Sequence, residues 1–379
     1  MLTFLGVAFL IYGGMHAYAF SKVWLAFPHT AQLGLALALL GFALTLSPFI
    51  LWFMARQNWH GAAAVMAWPS YLWMGFIFLF CAIAFACDLG NVLATLLGFR
   101  WQLGGPQILM TAGLFAIVLS GYGYFDARQI HIERVNITTP KLSPAIGRVT
   151  IAQISDLHLG AMLGEEFLGR VLGKICEAKP DIVVATGDIV DGQGDDLDRL
   201  APRFRECPAP GGRFAVLGNH EYFAGMEHSL HFLRAAGFTV LRGEAVAAGG
   251  VVIAGVDDPS GLSLGMETKL NVDAALKAVP KDAFVVLLKH QPVVDRNTPF
   301  DLQLSGHIHG GQIFPFNVFT WLVYRVHTGL TRLAAGRWLY VSRGAGTWGP
   351  PIRVFAAPEI TLISIEAEKA QNIEKPVNE

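Results

Sequence analysis

The loop "SGHIHGG" (305–311) sets His307 and His309 two residues apart among three glycines. Neutral imidazole is a common ligand for transition metals, but two ligands do not complete a site that takes three or four from the protein. Four other short segments carry residues of the same kind. Asp156 and His158 stand in "ISDLHLG" (154–160), Asp188 in "TGDIV" (186–190), Asn219 in "GNHE" (218–221) and His290 in "LKHQP" (288–292). The set of two aspartates, one asparagine and four histidines is large enough for two divalent ions. Its mixed nitrogen and oxygen donors, with no thiolate, suit Mn, Fe or Zn better than Ca. A carboxylate lying between two cations can bridge them, an arrangement suited to phosphoryl chemistry.

What precedes each segment explains how they could meet. "RVTIAQIS" (148–155), "DIVVAT" (181–186), "RFAVLG" (213–218), "AFVVLLK" (283–289) and the shorter "DLQLSG" (301–306) are apolar runs that read as strands buried on both faces. Each finishes at one of the candidate ligands. In α/β sheets the binding crevice lies beyond the carboxyl ends of the strands, so five sequence-distant segments are expected to converge on one edge. Gly306, Gly310 and Gly311 are expected to let the backbone pass close to the metals. Further strands are predicted at 251–256, 338–342 and 359–365. The spacing of Phe167, Val171, Leu172 and Ile175 predicts a helix over 165–179, and a second helix is expected around 226–236.

The chain has 379 residues, 53% hydrophobic and 15% charged, with a formal net charge of −1. No basic surface for nucleic acid is expected. The apolar excess lies at the start. Up to Tyr124 the charged residues are Lys22, Arg56, Asp88 and Arg100. Four windows, 2–20, 31–54, 62–87 and 106–125, match the ~20 apolar residues that span a bilayer as helix. Trp24, Trp52, Trp59, Trp68 and Trp101 fall near their ends, where such rings favour the lipid–water boundary. The organisation expected is a membrane domain of four transmembrane helices over 1–128, a linker over 129–147 and a catalytic domain over 148–379. Asp88 is expected to mark a helix end. Arg56, Arg128 and Arg134 on one side outnumber Lys22 and Arg100 on the other, which predicts a cytoplasmic catalytic domain. Cys81, Cys87, Cys176 and Cys207 lack any paired spacing and read as unpaired thiols.

The order DxH, GD, GNHE, lone His and GHxH resembles the signature of the calcineurin-like metallophosphoesterases across roughly 148–366. "SGHIHGGQIF", "KHQP" and "SRGAGTWGPPIRV" (342–354) are similar to a membrane-bound phosphohydrolase branch that includes enzymes acting on lipid-linked diphosphates such as UDP-diacylglucosamine. The resemblance implies a two-layered β sandwich flanked by helices, behind a multi-helix transmembrane anchor. It implies that Asp156, His158 and His309 hold one metal, that Asn219, His290 and His307 hold the other, and that Asp188 bridges. His220 is implied to face the phosphate without binding metal, with Glu221 as its expected orienting partner. Asp191, Asp195, Asp196 and Asp198 read as helix-start and surface charges.

The segment "FPFNVFTWLVYRVHTGLTRL" (314–333) follows the HxH loop directly. It reads either as a buried helix or as an apolar patch facing the bilayer beside the metals. The second reading implies a phosphorylated or diphosphate-linked lipid substrate, with Arg325, His327 and Arg332 near a second phosphate. A soluble-nucleotide phosphodiesterase on a passive anchor, or a membrane sensor or transporter regulated by the phosphatase, are the alternatives.

Overall fold

A computed structural model describes residues 2–57, 59–191, 195–295 and 297–368. The four apolar windows become α1 (Leu2–Ala26), α2 (Ala31–Arg56), α3 (His60–Leu96) and α4 (Gly105–Asp126). Among the described residues, three helical stretches are long and apolar enough to cross a membrane: Ala31–Met54, Gly61–Leu96 and Gly105–Asp126. The protein is an integral membrane protein. Helix α3 has 37 residues, about 55 Å at 1.5 Å per residue, which exceeds the ~30 Å hydrocarbon core of a bilayer. Asp88 lies inside α3 rather than at a helix end. It accepts from Lys22 Nζ and Tyr18 Oη of α1, each at 2.5 Å.

The remainder is a sandwich of two six-stranded sheets. The first is ordered β1 (His131–Thr139), β12 (Glu359–Ala367), β2 (Arg148–Ile154), β3 (Ile182–Thr186), β4 (Arg213–Val216) and β5 (Thr239–Val240). The second is ordered β10 (Gly329–Arg332), β11 (Trp338–Val341), β9 (Leu302–Ser305), β8 (Val285–Leu288), β7 (Val251–Gly255) and β6 (Glu244–Ala248). The period-2 alternation of strand side chains divides each strand between two cores. Val149, Ile151, Ile182 and Val184 meet Ile253, Val286, Leu288 and Leu304 between the sheets. Ala152, Ile154, Val183 and Ala185 point outward to helices α5 (Glu165–Ala178) and α7 (Met226–Ala235), beyond α6 (Asn219–Ala224). The short helix α8 (Ser260–Ser263) packs on α6, α9 (Val272–Leu276) flanks the second sheet, and α10 (Phe316–Tyr324) follows the HxH loop.

The residues dictate α5 simply. Phe167, Leu168, Val171, Leu172 and Ile175 form one buried stripe, and each contributes roughly 1.5–3 kcal/mol by leaving water. Glu165 and Glu166 complement the helix N-terminus, and Lys179 in left-handed conformation ends it before Pro180.

Two expectations fail here. The stretch taken as a linker carries β1, which pairs in parallel with β12 from His131–Glu359 to Thr139–Ala367. Its sequence "HIERVNITT" is mostly polar because β1 is an edge strand. Cys176 of α5 and Cys207 are not free thiols but a disulfide, with Cα atoms 4.9 Å apart. Their separation of 31 residues hid the pairing, since contact comes only when α5 packs on the segment after β3.

Candidate metal centre

Strands β2, β3 and β4 run parallel, as do β8 and β9, so their carboxyl ends deliver five loops to one edge. All seven predicted ligands meet there. Five of them, Asp156, His158, Asp188, His307 and His309, hold positive φ between 49° and 71°. Non-glycine residues adopt that region uncommonly, and such strain persists where the surroundings fix it, typically at functional sites. Gly306 is required by close approach, because a Cβ there would run into Ser155 Oγ and Asp156 Oδ2.

The side chains form two adjacent groups, with Asp188 in the second and within 4.0 Å of the first. In one, His158 Nε2 and His309 Nε2 lie 3.1 Å apart and His309 Nε2 is 3.4 Å from Asp156 Oδ1. In the other, His290 Nε2 lies 3.0 Å from Asn219 Oδ1, 3.1 Å from His307 Nδ1 and 3.2 Å from Asp188 Oδ2. The same Asp188 oxygen is 4.0 Å from His158 Nε2. Asp156, His158 and His309 could share one ion, and Asp188, His290 and His307 another.

The hydrogen bonds test whether cations fit. His290 Nδ1 donates to the Thr186 carbonyl at 2.8 Å, so in the neutral ring Nε2 presents a lone pair. That lone pair faces an amide oxygen, a carboxylate oxygen and a second imidazole nitrogen. Acceptors converge without enough protons to separate them, and a proton or a metal ion must lie among them. In the absence of metal the proton wins. Burial opposes charge on His290, yet Asp188 raises its pKa well above the ordinary value. Burial and His290 together push His307 down to about 3, while burial, His158 and Arg353 hold His309 well below its usual range. The donor set therefore fits two divalent cations.

The supporting residues were partly missed. Glu221 does not hold His220. It is fully buried and accepts the backbone N–H groups of Asp188, Ile189, Val190 and Gly218 at 2.7–3.1 Å, which fixes the turns carrying Asp188 and Asn219. His220 instead has Nδ1 2.6 Å from Asp191 Oδ1, and its backbone N–H donates to Asp188 Oδ1 at 2.8 Å. Asp191 also faces His158 Nδ1 at 3.5 Å. It is no surface charge: burial opposes its ionisation, but the two imidazoles lower its pKa to about 2. Burial likewise opposes charge on His220, but Asp188 and the bond to Asp191 raise it to about 9. The available signal was position. Asp191 stands three residues after Asp188, where the loop runs beside 157–159 and pairs Leu159 with Val190. Asp198 is exposed as expected, and the side chains of Asp195 and Asp196 lie outside the described residues.

The rim is aromatic. The His220 ring contacts Phe223 at 5.6 Å and Trp348 at 5.9 Å, and both are exposed. Tyr324 at the end of α10 stands 5.5 Å from the His307 ring. Helix α10 buries none of its residues and exposes Phe316, Val318, Phe319, Trp321, Leu322 and Val323. Of the two readings of 314–333, the exposed apolar patch is the one observed.

Residues 149–311 match the calcineurin-like phosphoesterase family. A metallophosphoesterase of Aquifex aeolicus is 42% identical over 258 residues, 67% of this chain and 98% of the relative. One from Campylobacter jejuni is 31% identical over 326 residues, 83% of each chain. A zebrafish (Danio rerio) transmembrane protein with a metallophosphoesterase domain is 28% identical over 309 residues, 76% of this chain and 71% of that one. With clusters of metal-ligating side chains at its strand ends, the chain belongs to the calcineurin-like metallophosphoesterases and is a metal-dependent phosphohydrolase.

Proposed function

We propose that the protein hydrolyses a phosphate ester or diphosphate of a membrane lipid, with the reacting phosphate at head-group depth and the acyl chains left in the bilayer. The observation that carries this reading is the exposed apolar helix α10 beside the metal centre. Tyr324 adjoins His307, and Phe316 meets Phe78 of α3 with ring centroids 6.2 Å apart, so one apolar surface runs from a membrane helix to the ligands. Arg325 and His327 are exposed at the end of α10, and Arg325 lies over the Trp321 ring at 4.8 Å. They are suited to a second phosphate.

In this reading Asp156, His158 and His309 hold one ion, Asn219, His290 and His307 the other, and Asp188 serves both. When bound, two divalent cations neutralise phosphate oxygens and make a water nucleophilic near neutral pH. Asp191 accepts the His220 Nδ1–H and aims Nε2–H at the departing oxygen, to which His220 gives its proton. Glu221 keeps the backbone turns rigid during the reaction.

Orientation belongs to the same proposal. Arg56, Arg128 and Arg134 on the catalytic side outnumber Lys22 and Arg100 on the other, which favours the cytoplasm. The Cys176–Cys207 disulfide is instead the kind of bond that an oxidising compartment preserves. A reporter active only in the cytoplasm, fused after Glu379, is expected to work. Activity of the matching export reporter would reverse the assignment.

The substrate test uses purified protein with Mn²⁺ on a lipid diphosphate, a lipid monophosphate and a small aryl phosphodiester. The lipid diphosphate should have the highest kcat/KM. Faster turnover of soluble nucleotides, independent of detergent micelles or bilayer, would favour the passive-anchor alternative.

A further inference from the structure

Arg353 is fully buried, and among the described residues it is the largest side chain to be so. All of its N–H groups reach carbonyl oxygens. Nε donates to Gly346 at 2.9 Å, Nη1 to Ala356 at 2.8 Å and His309 at 3.4 Å, and Nη2 to Arg343 at 2.8 Å and Gly346 at 2.6 Å. Nη2 also lies 3.3 Å from His309 Nδ1. One guanidinium thus holds the loop 343–356 against the backbone of a metal-centre histidine, with Nη2 beside its ring. Its main chain faces the other way. The Arg353 N–H donates to the Gly123 carbonyl of α4 at 2.9 Å.

The membrane helices are notched for this loop. A Cβ on Gly123 would stand 2.9 Å from both Arg353 O and Val354 Cγ2, and one on Gly75 of α3 would stand 2.6 Å from Ile352 Cδ1. Ile352 and Val354 share a buried cluster with Ile77, Phe80, Ala112 and Ala116 of α3 and α4. Close packing transmits displacement rather than absorbing it.

We propose that Arg353 is a positioning residue that ties His309 to α4, so that the membrane helices set the geometry of the Asp156/His158/His309 metal position. The helices are then part of the metal centre's support and not only an anchor. This rests on the two-metal reading given above.

The test measures Mn²⁺ stoichiometry, affinity and electron paramagnetic resonance on the full-length protein in detergent. Wild type should bind two ions and give the spectrum of a coupled pair. Arg353→Met and Gly123→Leu should each weaken one ion by roughly 10–100-fold, the range for removing an outer partner of a ligand. The spectrum should become that of an isolated ion, while the other ion keeps its wild-type affinity. Gly121→Leu is the control, because a Cβ there meets nothing within 4 Å, and it should behave as wild type. Two ions at wild-type affinity in both variants would overturn the proposal. So would equal loss of both ions together with a lower metal-free melting temperature, which marks a general structural role. If Arg353→Met does not fold, Gly123→Ala still places a methyl against Arg353 O and decides the matter on the same readouts. A wild type holding fewer than two ions would sink the two-metal reading, and this inference with it.

Discussion

Polar side chains are buried in both halves of the molecule, but they are closed off in one and left open in the other. In the membrane half, His16 Nδ1 donates to the Tyr12 carbonyl at 2.9 Å, and Nε2 accepts from Trp73 Nε1–H at 2.9 Å. Both nitrogens are used and no charge is needed. Lys22 and Asp88 cancel one another, with Tyr18 adding a donor. In the catalytic half, the potential acceptors of His290, Asn219, His307 and Asp188 crowd within 3.0–3.2 Å of one another. His158 Nδ1 has no well-formed hydrogen bond at all. A buried polar group with its partners in place holds helices together. One whose partners are all acceptors is waiting for a cation.

The harshest way to break this comparison is to alter Asp188, the carboxylate proposed to serve both ions. Asp188→Asn removes a charge and replaces a ligand oxygen with an N–H₂ donor. Both metal positions should lose affinity, and turnover should fall by about 10³-fold or more, the equivalent of several kcal/mol of metal-derived stabilisation. Elemental analysis that finds two tightly held ions in an active Asp188→Asn protein would remove Asp188 from the shared position.

His220 separates proton chemistry from metal binding. His220→Asn should keep both ions and slow hydrolysis of a poor leaving group by roughly 10²–10⁴-fold, with a much smaller loss for nitrophenolate. The sign of the pH effect follows from its raised pKa, about 9 without metal. The protonated ring is the active form, so wild-type kcat should decline as pH rises through the pKa. Cations neutralise Asp188, so that decline should fall below pH 9. The alkaline limb should vanish in His220→Asn. Equal slowing of both leaving groups, or loss of metal, would exclude the acid role.

Much of this site was legible because strand ends are. Each apolar run of β2, β3, β4, β8 and β9 announces its own end, and the residue types beyond it carry the chemistry. What was not legible depends on side-chain direction and chain packing. Glu221 adjoins His220 in sequence, yet its carboxylate turns inward to four backbone N–H groups, and Asp191 from another loop takes the expected role. Arg353 lies 44 residues from His309, and a lone arginine gives no sign of burial. Strand β1 was hidden by its polar composition, with Ile132, Val135 and Ile137 its only apolar residues, and the disulfide by its dependence on tertiary packing.

In the membrane half, a smaller effect is expected, and it should be reversible by a second change. Lys22→Met leaves Asp88 with only Tyr18, in a place where the lysine side chain is 10% exposed. The Asp88 side chain is 33% exposed, so removing its partner should cost less than the roughly 3–5 kcal/mol of a fully buried pair, whereas replacing both with apolar groups is often neutral. The detergent melting temperature should drop in Lys22→Met and recover in Lys22→Met/Asp88→Leu, with metal content unchanged throughout. No such recovery is available in the metal centre, where an apolar pair cannot hold an ion. A double variant as unstable as the single one would mean that Asp88 has work beyond neutralising Lys22.

The smallest effect tests the exposed apolar surface of α10. Phe319 and Trp321 are exposed on α10, at 54% and 39%, and neither supports a core. Their truncation should therefore leave the fold and metals intact. If they contact the acyl part of the substrate, that contact is the same in the ground state and the transition state. Binding energy of this uniform kind appears in KM and not in kcat. Losing part of an apolar contact of this size corresponds to about 1–2 kcal/mol, or roughly five- to thirtyfold in KM for a lipid substrate. A small aryl phosphodiester has no chain to lose and should show no change. Trp321→Ala also removes the ring beneath Arg325, so it should raise KM more for a diphosphate than for a monophosphate, while Phe319→Ala treats both alike. If both substitutions instead slow the aryl substrate and lower the melting temperature, α10 packs against protein and the lipid-facing assignment fails.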